Sequence, residues 1–230
     1  MKRLIAILVF LACGNLFSQT DSNYMLLSEA LVSYGAKYQH ECEKAMLRDD
    51  MDRIDFLFDS ITNKYLKGKY FDPFIVKKLS NRCVDLKTFK KPIFLITLTT
   101  WHLQTKGEIE AINELAEQYH KDIEFVVLYW GPRNKAKKAS KVFSSKISIT
   151  YFDERDNKGA YIVGKLKHFF GFPTYFYMNA DMSIVSINRG GAKKPFYTEQ
   201  DFVKESNYNN HFVYIKELLI NADSNTFANK

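Results

Sequence analysis

Few residues in this chain could exchange electrons, attack a substrate or hold a metal. It has three cysteines (Cys13, Cys42 and Cys83) and five histidines (His40, His102, His120, His168 and His211). His102 has the most suggestive setting. The stretch "TTWHLQTKGEIEAINELAEQY", residues 99–119, runs from the end of an apolar strand through Trp101 into an amphipathic helix. A helix N terminus favours negative charge and can activate a thiol. Yet the four residues after the tryptophan are His102, Leu103, Gln104 and Thr105, and none is a thiol. Disulfide exchange needs one thiolate to attack sulfur and a second thiol to release the mixed intermediate. Imidazole forms no mixed disulfide, and the Thr105 hydroxyl is too weakly acidic to resolve one. The same helix end favours neutral His102 over its cation. A general base would need an orienting partner, and no Asp or Glu stands nearby in sequence for that purpose. Metal binding would need further ligands, and none of the other histidines pairs with His102 in a ligand-like motif. His102 is therefore expected to be a polar, partly exposed residue without catalytic duty, and Thr105 a helix-start residue. No metal and no cofactor is expected. Trp101 fits either a recognition surface or a lid on the core.

The remaining thiols depend on compartment. "MKRLIAILVFLACGNLFSQT" has a basic start at Lys2 and Arg3 and an apolar middle, Leu4 to Ala12, too short to span a bilayer. It is read as an export signal, residues 1–18, cleaved near Ser18. The alternative is lipidation at Cys13, since "FLAC" resembles a lipoprotein box, with Phe10 where that box prefers Leu. No later stretch approaches membrane-spanning length, so the mature chain is expected to be periplasmic, secreted or lipid-tethered. After cleavage only Cys42 and Cys83 remain. An oxidising compartment permits a bridge between them, and a disulfide and two free thiols both stay open.

The formal balance is 33 Lys and Arg against 26 Asp and Glu, or +7, falling to +5 once Lys2 and Arg3 leave with the signal. The densest basic run, "RNKAKKASKVFSSK", places Lys135, Lys138 and Lys141 at helical spacing and reads as a solvated helix face rather than an anion site. No zinc spacing or nucleic-acid motif accompanies it, so no nucleic-acid partner is expected.

The elements that would position these residues can be read from periodicity. Leu27, Leu31, Tyr34, Tyr38, Cys42 and Ala45 make one helical stripe, and Ile54, Leu57, Phe58 and Ile61 a second, with Asp49 or Asp50 as cap. Two helices this small cannot close a core alone and must pack on the remainder of the chain. "FIVKKLSNRCVDL" alternates about Ser80-Asn81 as a hairpin. "PIFLITLT" and "IEFVVLYW" are continuous apolar runs suited to strands buried on both faces. Between them a helix turns Ile109, Ile112, Leu115, Ala116 and Tyr119 inward. "ISITYF" is a further strand, and a helical segment is predicted from about Lys158 to Phe169. "PTYFYMNADMSIVSINRGG" is a hairpin turning at Asn179 to Met182. A last helix covers 198–221, with Phe202, Phe212, Ile215, Leu218 and Leu219 as core. This order predicts an α/β protein, a three-layer α/β/α sandwich with a mixed sheet.

The order and motifs resemble the thioredoxin superfamily, in particular its exported TlpA-like thiol–disulfide reductase branch, to which peroxiredoxins are related. "GKYFDPFIVKKLSNRCVDLKTFKKPIFLITLTTW" resembles that branch's opening hairpin and first central strand, "IEAINELAEQY" the helix after the redox motif, and "FGFPTYFYMNADMSIVSINRGG" the loop with the family's cis-proline and the closing hairpin. The resemblance implies a thioredoxin-like domain over 68–222, a helical N-terminal region over 19–67 and a disordered tail over 223–230. It also implies that His102 and Thr105 occupy the positions of the family's Cys-x-x-Cys pair. Pro173 would be the cis-proline, whose neighbouring backbone in the family pairs with an extended peptide. The expected protein is a redox-inactive polypeptide-binding or structural module of the cell envelope, with Trp101, His102, Phe172 and Pro173 as its contact surface. The alternative is a thiol–disulfide oxidoreductase cycling Cys42 and Cys83.

Overall fold

The computed structural model describes residues 24–101, 106–156, 166–190 and 200–228. The first helix, α1 (Leu27–Met46), buries Leu27, Leu31, Tyr38 and Ala45 from the predicted stripe and leaves Tyr34 partly exposed. Asp50 caps α2 (Met51–Ile61) by accepting a hydrogen bond from the Arg53 N–H at 2.9 Å, and a π turn, Thr62–Leu66, prolongs it.

Beyond them come seven strands: β1 (Ile75–Lys78), β2 (Cys83–Asp85), β3 (Ile93–Thr99), β4 (Glu124–Trp130), β5 (Ser148–Phe152), β6 (Thr174–Met178) and β7 (Ile184–Arg189). They form one sheet in the order β2-β1-β5-β4-β3-β6-β7. The β3–β4 and β4–β5 pairs are parallel, and the other four are antiparallel. Helix α3 (Lys106–Tyr119) links β3 to β4, the short α4 (Arg133–Ala139) links β4 to β5, and the long α5 (Gln200–Ala228) ends the described chain.

Period-two alternation divides the central strands between two cores. Ile93 and Leu95 of β3, with Val126, Leu128 and Trp130 of β4 and Phe176 and Met178 of β6, join α1 and α2 on one face. Phe94, Ile96 and Leu98, with Phe125, Val127, Tyr129, Tyr175 and Tyr177, meet α3 and α5 on the other. The result is a mixed-sheet α/β/α sandwich with the thioredoxin-like arrangement. A parallel β3-α3-β4 unit feeds an antiparallel β6–β7 hairpin, and the Phe172–Pro173 peptide bond just before β6 is cis.

The N-terminal helices are built into this sandwich. Residues 68–71 run along the edge of β7, where the Gly68 N–H donates to the Ile184 carbonyl at 2.7 Å and the Phe71 N–H to the Met182 carbonyl at 2.9 Å. Leu27 N–H donates in turn to the Tyr70 carbonyl.

Two expectations need correction. Helix α5 continues to Ala228, into the segment 223–230 expected as a disordered tail, and Ser224 Oγ donates back to the Ile220 carbonyl at 2.9 Å. Phe202, expected in the core, is 58% exposed, whereas Ile215 and Leu218, further along α5, are wholly buried. Of the helix predicted from Lys158 to Phe169, residues 158–165 lie outside the described residues, and 166–169 are helical. The export signal and Cys13 lie outside the described residues. Among the described residues no helix is long and apolar enough to cross a membrane.

Candidate functional site

The residues singled out for chemistry divide into three places. Trp101 lies just past the last residue of β3 and is 77% exposed, so it is a surface residue and not a lid. His102 and Thr105 lie outside the described residues. The β3–β6 register pairs Thr97 with Thr174. Continued by two steps, it brings Thr99 opposite Phe172, so Trp101, Phe172 and Pro173 share one end of the sheet. Pro173 is buried and its carbonyl accepts from the Gly190 N–H at 2.9 Å, whereas Phe172 is half-buried. Among the described residues, no hydrogen bond uses the backbone N–H or carbonyl of Phe172. Gly190 must be glycine for this loop to close, because a Cβ there would overlap both Pro173 Cγ and the Tyr175 hydroxyl.

This sheet end also gathers unsatisfied polar atoms. Thr99 Oγ1, Trp130 Nε1 and the Tyr175 hydroxyl are buried without a hydrogen-bond partner among the described residues. Thr99 ends β3 and Trp130 ends β4, while Tyr175 lies at the start of the oppositely running β6. Buried polar groups are nearly always paired in folded proteins, so their concentration at one end marks where local rules are relaxed.

Cys42 and Cys83 are both free thiols. Cys83 is exposed on β2, one edge of the sheet. Cys42 lies one helical turn beyond Tyr38 on α1. The Tyr38 oxygen accepts from Arg189 Nη2 at 2.8 Å, and Arg189 ends β7, the opposite edge. Six inter-strand steps separate β2 from β7, roughly 29 Å along the sheet. A disulfide needs Cα atoms within about 7 Å. The fold therefore keeps the two cysteines apart, and the oxidoreductase built on that pair loses its geometric basis.

The predicted basic segment forms α4 and an adjoining 3₁₀ turn, with Lys135, Lys138 and Lys141 all exposed. Lys77, Arg133, Lys135 and Arg155 border an open hollow of about 660 Å³. Arg155 is paired with Asp153, and Arg133 Nε donates to the Leu79 carbonyl at 2.6 Å.

A second cleft, of about 390 Å³, was not foreseen from sequence. It lies between α2, the ends of β6 and β7, the first turn of α3, and α5, and its lining includes Asp55, Glu108, Tyr175, Asn188, Arg189 and His211. Arg189 is fixed at its mouth by Tyr38, by the Phe170 carbonyl at 3.1 Å, and by the Phe58 ring 4.1 Å beneath the guanidinium. His211 is 5% exposed, and its Nδ1 lies 2.6 Å from the Tyr177 hydroxyl. Burial pushes the His211 pKa down to about 4, so the ring is neutral at ordinary pH. On the neighbouring strand, Ser186 Oγ donates to Asn188 Oδ1 at 3.3 Å. A sequence signal for this cleft did exist. The alternation of "TYFYM" puts Tyr175 and Tyr177 on one face, and His211 shares the helical stripe of Ile215 and Leu218.

Among the described residues, no group of three or more His, Cys, Asp or Glu side chains could hold a metal ion. No family model matches this chain, and no curated protein matches it. Solved structures do. One is a secreted disulfide oxidoreductase of Mycobacterium tuberculosis homologous to E. coli DsbE, 14% identical over 58% of this chain and 93% of that one, with a TM-score of 0.44. Another is a proposed thiol:disulfide interchange protein DsbE of Chlorobium tepidum, 15% identical over 66% of this chain and 97% of that one, TM-score 0.49. A third is the thioredoxin domain of a thiol-disulfide oxidoreductase from Bacteroides vulgatus, 14% identical over 64% of this chain and 96% of that one, TM-score 0.48.

Proposed function

We propose that this chain is an exported, redox-inactive module of thioredoxin-like fold that binds an extended polypeptide in the cell envelope. Its contact surface is Trp101, His102, Phe172 and Pro173. The observation that carries this reading is the placement, at one sheet end, of exposed Trp101 beside a Phe172 backbone without a partner among the described residues, in a chain with no cysteine between Trp101 and Lys106. A free N–H and carbonyl beside a strand end can take up a further extended segment, and an exposed indole supplies contact area at low entropic cost. Export is supported by the basic and apolar pattern of residues 1–18, with Cys13 lipidation as the alternative mode of retention.

Two measurements test the reading. In an insulin-reduction assay driven by dithiothreitol, the mature chain should add nothing to the uncatalysed rate, and Cys42→Ser and Cys83→Ser should behave like the wild type. Turnover abolished by either change would overturn the proposal. Extended peptides selected from a displayed random library against the mature chain should lose at least about tenfold in affinity on Trp101→Ala, roughly 1.4 kcal/mol. Selected peptides indifferent to Trp101 would place the binding surface elsewhere.

A further inference from the structure

The hollow bordered by the β1–β2 turn, the start of α4 and β5 uses none of Trp101, His102, Phe172 or Pro173. The way its polar side chains are tied down points to a ligand of its own. Arg133 spends its Nε–H on the Leu79 carbonyl, which holds the guanidinium against the turn, and Nη1 and Nη2 have no partner among the described residues. Asn134 Oδ1 accepts from the Lys135 backbone N–H at 2.9 Å, which fixes the amide and leaves Nδ2 to donate elsewhere. Asn81, on the turn, is held in a similar way. Tyr151, 5% exposed on β5, donates to Asn81 Oδ1 at 2.7 Å, and Asn81 Nδ2 is unspent. The Lys135 ammonium has no ion pair among the described residues. Asp153 is the one carboxylate of the described lining, and both of its oxygens are held by Arg155. The acceptor oxygens of these side chains are thus engaged from within. Apart from the buried Tyr151 hydroxyl, what Asn81, Arg133, Asn134 and Lys135 leave over is a set of donors, which an anion satisfies and a cation does not.

We propose that this hollow binds a small phosphate monoester. A guanidinium fork matches a pair of phosphate oxygens, and Lys135 adds a second positive charge beside it. The three terminal oxygens of a phosphate point in different directions, which suits donors arriving from a turn and from a helix start, whereas a carboxylate offers two oxygens in one plane. The volume, about 660 Å³, lies within the usual range of small-molecule sites, about 300–1,000 Å³, and leaves room for an organic body against Pro132 and Tyr151. Lys138 and Lys141 do not line the hollow and stay a solvated face.

The test uses the mature chain with sn-glycerol 3-phosphate as probe and glycerol as its uncharged counterpart. NMR titration should give saturable shifts of the Asn81 and Asn134 side-chain amide signals with the phosphate ester and none with glycerol. Arg133→Gln/Lys135→Gln should weaken binding at least tenfold, and the charge-matched Lys138→Gln/Lys141→Gln less than twofold. Because Arg133 also anchors the turn, Lys135→Gln alone serves as a further variant and should weaken binding threefold or more. Equal losses in the two double variants would mean a diffuse positive field and overturn the site. So would full affinity in Lys135→Gln, shifts confined to other parts of the chain, or retention on phosphatidic acid vesicles without a saturable response to glycerol 3-phosphate. Peptide binding at Trp101 is read out separately, so either result stands without the other.

Discussion

At the residue scale, His211 couples the cleft to pH. Its pKa falls from 6.5 to about 4 because burial disfavours the imidazolium. The unfolded chain takes up this proton below pH 6.5, whereas the folded chain resists until near 4. Between those values the unfolded state binds more protons, so stability is lost as pH falls from about 6.5 to 4, by roughly 3 kcal/mol for this group. Urea unfolding between pH 4 and 7 should show that slope. His211→Gln, whose amide can still hydrogen-bond with Tyr177, should flatten it by close to one proton while lowering stability at pH 7 by about 1 kcal/mol. An unchanged slope in the variant would assign the effect to other groups. His102 marks the opposite case at this scale. Sequence sufficed to show that no thiol stands after Trp101, because absence of an atom type needs no geometry. Tyr175, Tyr177 and His211 were legible only as aromatic core positions, because their roles arise from contacts between β6 and α5, residues 34 apart in the case of Tyr177 and His211.

At the element scale, the strands were the most legible feature. The apolar runs of β3 and β4 have the composition that two-sided burial demands, and every residue of β3 is buried. Both hairpin turns fell where turn-forming polar residues stand, Ser80-Asn81 and Asn179 to Asp181, and Asn81 and Met182 adopt positive φ at those turns. The limits of α5 were harder to see. Asn221, Asp223, Ser224 and Asn225 read as a helix stop, yet Asn221 Nδ2 donates to Asn179 Oδ1 at 3.2 Å, a tertiary contact that periodicity cannot register. The start of α2, by contrast, rests on a local cap. Asp50→Ala removes the acceptor for the Arg53 N–H and should cost about 1 kcal/mol, measured as a lower urea midpoint at constant m value. Asp50→Asn should restore most of it, and failure of that rescue would mean that charge rather than capping holds the turn.

At the scale of the whole molecule, the question is whether the N-terminal helices are an appendage or a layer. Sequence placed them in a region of their own, residues 19–67, yet helices so small needed the rest of the chain to complete a core. The packing is extensive. Leu27, Leu31, Phe58, Ile61 and Leu66 share one core with Leu95, Leu128, Trp130 and Phe176. Residues 68–71 stitch α1 and α2 to the start of β7 through backbone hydrogen bonds. Helices and sheet should therefore unfold together. Leu31, 3% exposed on α1, faces that core, and Leu31→Ala should cost about 2–5 kcal/mol. Trp130, 3% exposed with its indole edge-on to Phe152, reports on the sheet side of the same core, whereas far-ultraviolet dichroism is dominated by the helices. For the wild type and Leu31→Ala alike, the fluorescence and dichroism transitions should coincide, both shifted by the same amount in the variant. If the N-terminal pair were independent of the sheet, the substitution would displace the dichroism curve and leave the Trp130 transition in place. Coincident curves would mean that the cleft between α2 and β7 is bounded by a single cooperative body.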